Sequence, residues 1–195
     1  MKKIDNPDIE ILFNQARTYS VWENREVPDE ILHKIYDLAK MAPTAVNCQP
    51  MRVVFVRSPE AKKKLEACLD PGNLKKTMSA PVTAIIAGDT RFYDHLGKLY
   101  PIADVKPWFE GNAEAVNDTV LRNTALQGAY LILAARALGL DCGPMSGFDK
   151  QKTDEVFFKG TPYKSNFLCN IGYGVRPYPH PRLPRFDFDE ACKIL

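Results

Sequence analysis

The sequence predicts a layered domain of mixed helices and strands, α+β or α/β, and three observations carry that prediction. Short β-branched and aromatic runs, Val53–Val56 and Val82–Ala87, alternate with amphipathic stretches of helical spacing. Helical patterns stand at both ends of the chain. One long stretch, Asn112 to Leu138, is apolar nearly all round from Leu126 onward, and such a helix belongs in the middle of a domain. With 195 residues, 45% of them hydrophobic, the chain has material for one sizeable core. Residues 1–195 are therefore expected to form a single domain.

The elements follow in order. Ile9, Leu12, Phe13 and Ala16 share one stripe of a first helix over Asp8–Ala16. A second helix begins near Pro28, whose missing N–H is not needed in a first turn, with Asp29 and Glu30 at the positive end of the dipole. Ile31, Leu32, Ile35, Leu38, Ala39 and Ala42 form its buried face, and Pro43 stops it. After the strand at Val53–Val56, Ser58 caps a helix running to about Leu69. Asp70-Pro71-Gly72-Asn73 reads as a turn, and Val82–Ala87 as a strand buried on both faces.

Residues 91–111 read as an irregular, aromatic-rich excursion of the kind that serves as a lid or binding loop. The long helix then spans about 40 Å at 1.5 Å per residue. Gly139 is its C′ residue, with Leu140 after it. Asp141–Met145 is a short strand, Ser146-Gly147 a turn, and Asp149 the N-cap of a helix reaching about Phe158. Phe167, Cys169, Ile171 and Tyr173 alternate on one face of a last strand. The proline-rich tail ends in a short helix capped by Asp187, with Glu190 three residues on.

Composition removes several function classes. The net charge of +2, with scattered basic residues, argues against nucleic acid. Lys62-Lys63-Lys64 reads as the solvated face of a helix. The apolar run ending in Leu140 is interrupted by Arg136 and too short to span a bilayer. Five separated cysteines without a CxxC pair argue against a thiolate metal site. Together with an N-terminus (Lys2, Lys3) lacking an apolar stretch, they point to reduced thiols in the cytoplasm. There is no GxGxxG after a strand, no Walker loop, no HExxH and no GxSxG.

What remains is a set of loops rich in arginine, hydroxyl and amide groups. Arg17, Thr18 and Ser20 follow the first helix. Asn73 and Lys76 sit at the start of a helical turn, and Arg182 and Arg185 in the tail. Guanidinium forks and hydroxyls suit a phosphate. Taken singly, each loop reads as an ordinary solvated turn. Two prolines, Pro43 and Pro50, also bracket Thr44-Ala45-Val46-Asn47-Cys48-Gln49, which suggests a cradle fixed at both ends.

Taken together, these segments resemble the nitroreductase family of FMN-dependent oxidoreductases over nearly the whole chain. The resemblance rests on "ARTYS", "PTAVNCQP" before a strand, a long helix ending in "ALGL", and the turn "GPMSGFD". Within the family the chain is most similar to the malonic semialdehyde reductases of pyrimidine degradation. The resemblance implies a mostly antiparallel central sheet flanked by helices, a long buried central helix, and a homodimer with FMN at its interface. Arg17, Thr18, Ser20 and Arg182 would then meet the FMN phosphate and ribityl chain. Asn73 and Lys76 would reach the flavin edge. Pro43, Thr44, Ala45 and Asn47 would line one side of the ring, braced by Gln49. Pro144, Met145, Ser146 and Gly147 would cover the other, with a backbone N–H of Ser146 or Gly147 toward flavin N5. No side chain is expected to be catalytic, and Cys48 no redox partner.

The implied reaction passes hydride from NADH or NADPH through flavin N5 to a small aldehyde, giving 3-hydroxypropionate from malonic semialdehyde. Arg122 and the 100–109 stretch are candidates for contacts to the substrate carboxylate. A broad nitro- or quinone reductase is the alternative, and a flavin-binding sensor or storage protein without turnover is the reading from another class. The sequence departs from the family pattern at Ser20, where a longer cation is common, and at Met51, where an aromatic often follows Gln-Pro.

Overall fold

The computed structural model describes residues 6–195, so Lys2 and Lys3 lie outside the described residues. The chain opens with α1 (Asn6–Ile9), which widens into a π-turn at Glu10–Asn14. There follow α2 (Asp29–Ala39), β1 (Met51–Val56), α3 (Pro59–Glu66), α4 (Pro71–Met78), β2 (Val82–Asp89) and α5 (Leu96–Leu99). The second half holds α6 (Ala113–Ala137), β3 (Asp141–Met145), α7 (Lys150–Phe157), β4 (Tyr163–Gly172) and α8 (Phe188–Ala191).

The strands form one sheet in the order β1-β2-β4-β3, and every neighbouring pair is antiparallel, which decides for α+β. β2 is buried at every position because helices cover both of its faces. Ala84 and Ile86, with Cys169 and Ile171 of β4, meet Ile35 of α2 and Leu131 and Ala135 of α6. Ile85, Ala87 and Leu168 turn the other way, toward Leu65 of α3 and Phe158 after α7. The period-2 alternation in β4 thus separates two cores. Each fully buried aliphatic side chain contributes roughly 1.5–3 kcal/mol of transfer free energy. At the end of α6 the Leu140 N–H bonds back to the Ala135 carbonyl at 3.0 Å, closing the helix at Gly139 as predicted.

Several local expectations change. Ile9 and Phe13 of the first helical stripe are exposed, as is Leu38 of α2. α2 ends at Ala39, four residues before Pro43, because a proline disfavours helical geometry in the residue before it. The turn expected at Asp70–Asn73 is the first turn of α4, with Pro71 in the position where no N–H is required. In the 91–111 excursion, Phe92, Leu96, Val105 and Phe109 pack on Val116 and Val120 of α6, so much of it is scaffold.

α6 is buried on one face only. Leu121, Leu126 and Tyr130 stand exposed on the other, so an apolar helix surface is left uncovered in a single chain. The tail from residue 181 onward is exposed throughout, including Phe186, Phe188 and Ile194. Its helix carries the predicted capping box of Asp187 and Glu190.

Candidate functional site

β3 lies at one edge of the sheet, and residues 18–22 run along it. Thr18 bridges Cys142, and the Tyr19 N–H donates to the Cys142 carbonyl at 3.0 Å. This approach needs Gly143, since a Cβ there would collide with the Tyr19 carbonyl. Trp22 reaches further, donating its Nε1–H to the Lys76 carbonyl at 3.0 Å. The Arg17–Ser20 segment is thereby tied to β3 and α4 together.

α4 is tied in turn to the loop after β3. Asn73 Nδ2 donates to the Gly147 carbonyl at 2.6 Å, and the Asp70 N–H does so at 3.2 Å. A Cβ on Gly147 would lie 2.5 Å from Asn73 Nδ2, so any larger residue here would displace the Asn73 side chain. The N–H groups of Ser146 and Gly147 have no acceptor among the described hydrogen bonds. Asp149 caps α7 by accepting from the Lys152 N–H at 2.9 Å, which confirms its structural role.

Arginines gather where the first helical segment ends. Arg17 Nη1 donates to the carbonyls of Asn14, Gln15 and Ala16 at 3.0, 3.3 and 3.0 Å. Arg182 Nη2 donates to the carbonyls of Phe13, Asn14 and Ala16. Arg136 reaches the Leu12 carbonyl at 3.2 Å. Carbonyls at a helix end have no partner within the helix, and cations are favoured there. Arg17 and Arg182 pair with no carboxylate among the described residues. Desolvation, then the charges of Arg17, Arg185 and Arg136, push the Arg182 pKa down.

The loop 43–49 occupies the opposite edge. Val46, Asn47 and Gln49 have φ of 45°, 50° and 40°, in the left-handed region. For a β-branched residue such as Val46 this costs roughly 1–2 kcal/mol. Two buried amides of α6 hold the loop: Asn123 Oδ1 accepts from the Ala45 N–H at 2.8 Å, and Gln127 Oε1 from the Met51 N–H at 2.9 Å. Asn47 Nδ2 donates to the Leu99 carbonyl at 2.8 Å, and Gln49 Nε2 donates to Asn47 Oδ1 at 2.8 Å, which is the brace expected of Gln49. Thr44 Oγ1 accepts from the Gln49 N–H at 3.2 Å. Burial pushes the Cys48 thiol up to about 11, which suits an inert residue.

Arg17, Thr18, Ser20, Asn73, Lys76, Pro144, Met145, Ser146, Gly147 and Arg182 therefore collect beside β3. Pro43, Thr44, Ala45 and Asn47 do not join them within one chain. Three strand spacings, roughly 14 Å, separate β1 from β3. No described hydrogen bond links the two groups. The Met145 side chain is buried and accepts from Thr77 Oγ1 at 3.4 Å, so only its backbone faces the turn. Arg122 is engaged with Asp118 at 2.6 Å on the surface of α6.

Sequence reasoning missed Trp22, Lys62, Asn123, Gln127 and Asn170. One signal was present: Asn123 and Gln127 stand four residues apart on one face of an apolar helix. A cleft of about 380 Å³ borders the arginine group and includes Gln15, Tyr19, Arg136 and Arg176 in its wall. A larger groove of about 630 Å³ follows β1 past His33, Tyr36 and Phe55 and lies away from the β3 cluster. Among the described residues no His, Cys, Asp and Glu group is arranged to hold a metal, and no helix is long and apolar enough to cross a membrane.

Comparison with known proteins agrees with this architecture. The nitroreductase family profile matches residues 15–173. A protein of Burkholderia lata, provisionally named NADH dehydrogenase/NAD(P)H nitroreductase, is 52% identical over 194 residues, covering 100% of both chains. A crystal structure from Exiguobacterium sibiricum, a provisional nitroreductase in complex with FMN, has a TM-score of 0.83 at 25% identity and covers 100% of both chains. Another, from Staphylococcus epidermidis and provisionally named NAD(P)H:FMN oxidoreductase, has a TM-score of 0.86 at 26% identity, again over 100% of both chains. With most of its length matched by the family profile and a full-length relative at this identity, the chain belongs to the nitroreductase family.

Proposed function

We propose that this chain is an FMN-dependent NAD(P)H oxidoreductase whose flavin site is completed by a second copy of the chain. The observation that carries the reading is the arginine group beside β3. Arg17 and Arg182 each spend one terminal nitrogen on backbone carbonyls. The other terminal nitrogen and Nε of each remain for an anion. Arg17 and Arg182, neither paired with a carboxylate, favour a phosphate dianion over any neutral ligand, while Asp141 of the adjoining cleft is held by Arg176 at 3.0 Å.

FMN, when bound, supplies the hydride chemistry, taking hydride at N5 from NAD(P)H and delivering it to an oxidised substrate. The chain's own groups bind and orient. Arg17, Arg182 and the hydroxyls of Thr18 and Ser20 hold the phosphate end. Lys76 and Asn73 stand along the flavin edge, and Asn73 also fixes the Gly147 turn. The N–H groups of Ser146 and Gly147, without protein acceptors, are the donors available to N5. A second copy supplies Pro43, Thr44, Ala45 and Asn47 along the ring. The exposed apolar face of α6 and the exposed tail are the surfaces such a homodimer would cover. Five unpaired thiols suit a reducing cytoplasm.

The substrate we propose is malonic semialdehyde, reduced to 3-hydroxypropionate, on the strength of the segments shared with that group of reductases. With Arg122 paired to Asp118, the substrate carboxylate would rely on other donors. The names of the full-length relatives favour a broader second reading, reduction of nitro compounds. Steady-state assays with both substrates separate the two, and no turnover of the semialdehyde at catalytic enzyme levels sinks the first. Anaerobic mixing with NADH or NADPH should bleach the flavin absorbance rapidly. A flavin that stays oxidised would favour a sensor or storage protein. A protein that purifies colourless and takes up no FMN would end the whole reading.

A further inference from the structure

Lys62 is the one lysine of the 62–64 run that turns inward, contrary to the solvated face expected of it. It is only 6% exposed. Its Nζ donates to the Thr77 carbonyl and to Thr83 Oγ1, both at 2.8 Å. No carboxylate lies within ion-pair distance of it among the described residues. Burial alone pulls its pKa down to about 8. A buried ammonium with only neutral partners is costly, and an aliphatic side chain would fill the space more cheaply. Such a residue calls for a role beyond packing.

Its partners suggest one. The Thr77 carbonyl belongs to the last turn of α4, where it also accepts from the Ala80 N–H at 3.3 Å. The neighbouring Lys76 carbonyl accepts from Trp22 Nε1 at 3.0 Å and from Asn170 Nδ2 at 3.2 Å. Asn170 Oδ1 in turn accepts from Thr83 Oγ1 at 2.8 Å, and Asn170 Nδ2 also reaches Thr77 Oγ1 at 3.3 Å. Lys62, Thr83 and Asn170 thus form a buried polar floor under the C-terminal turn of α4. A helix of eight residues has little stability of its own, so these contacts decide where it sits. Asn73, Lys76 and Thr77 lie at i, i+3 and i+4 and so share one side of this short helix.

We propose that Lys62 is a positioning residue for the cofactor: it holds α4 from below, so that Asn73, Lys76 and the Gly147 turn keep the placement FMN requires. This rests on the FMN reading above. The test compares three chains by FMN titration with fluorescence quenching and by thermal melting of the apoprotein. They are wild type, Lys62→Met, and Leu65→Ala, a fully buried residue of the same helix outside the polar floor.

Lys62→Met should raise the FMN dissociation constant about tenfold and shift the visible bands of the bound flavin. Leu65→Ala should lower the melting temperature yet leave the dissociation constant within about twofold of wild type. Equal FMN affinity in wild type and Lys62→Met overturns the inference, as does an equal loss in Leu65→Ala. If Lys62→Met does not fold, ε-¹³C-lysine NMR of the wild type decides: the Lys62 resonance must move on FMN addition, and an unmoved resonance overturns the inference. A wild-type chain that takes up no FMN overturns the proposed function itself, and the inference with it.

Discussion

The two edges of the sheet solve the same problem with different chemistry. Beside β3, a glycine-bearing strand end, a short helix and several arginines are knitted together by long-range contacts and underpinned by a buried cation. Beside β1, the loop from Pro43 to Pro50 is held by neutral amides of α6 and by its own side chains, in a backbone with three left-handed residues. The first edge concentrates positive charge, and the second offers a stiff, nearly uncharged wall. The contrast teaches that charge and stiffness are separated across the sheet, so that on the proposed function each edge has what the other lacks.

The largest expected effect removes the charge from the β3 edge. Arg17→Ala combined with Arg182→Ala should weaken FMN binding about a thousandfold, since each charged hydrogen-bonding group is worth roughly 1.5–3 kcal/mol. A flavin titration reads this directly, and retention within tenfold of wild type would remove the phosphate assignment.

The next effect separates the two supports by pH. The folded pKa of Lys62 is lowered from 10.5 to about 8, so the unfolded chain holds that proton more tightly. The penalty is fully present below pH 8, shrinks as pH rises from 8 to 10.5, and is gone above. Wild-type stability should therefore rise over that window relative to Lys62→Met, by at most on the order of 3 kcal/mol. Urea unfolding of both chains at pH 7, 9 and 10.5 measures it. The neutral amides under the β1 loop predict no such window for Asn123→Ala or Gln127→Ala.

Asn47→Ala should weaken FMN binding about tenfold, because it frees the loop from Leu99 and Gln49. A mixed dimer sharpens this. If one site takes its arginines from one copy and its loop from the other, pairing an Arg17→Ala chain with an Asn47→Ala chain leaves one site wholly intact. Half of the sites should then bind FMN at wild-type affinity. A site contained within one copy would leave none intact.

The smallest effect concerns strain. Val46→Gly removes the left-handed penalty but also the packing of Val46 on the Phe92–Phe109 core, and it loosens the unfolded chain, so stability should change by less than about 1 kcal/mol in thermal melting. If the strain serves to present the loop, FMN affinity should fall even though stability barely moves.

Much of this molecule was legible before any coordinates. β2 showed itself as a run apolar on both faces, β4 as an alternation, α6 by its length and its glycine stop, and α7 by Asp149. These signals are local, one residue type at one spacing. The errors share a cause as well. Lys62 reads as solvent-facing because its neighbours are lysines, and only the packing of α3 over β2 and α4 turns it inward. Phe13 and Leu126 read as buried because they are apolar, yet nothing in a single chain covers them. The 91–111 stretch carries too little periodicity to reveal that its aromatics form a small core against α6.

The sequence by itself determined the kinds of group available: guanidinium, hydroxyl and amide side chains in loops bounded by prolines and glycines, and an oxidoreductase family's motifs in their order. It determined the helices and strands as well, because backbone preference and hydrophobic period act within a few residues. Only the tertiary structure decided that ten of the candidate site residues meet beside β3 while four stand at the far edge. Strand order is set by pairing between segments distant in the chain, and no local spacing encodes it. The same physics placed a charged lysine beneath α4, where its contacts with α4 and β2, rather than its own neighbours, turn it inward.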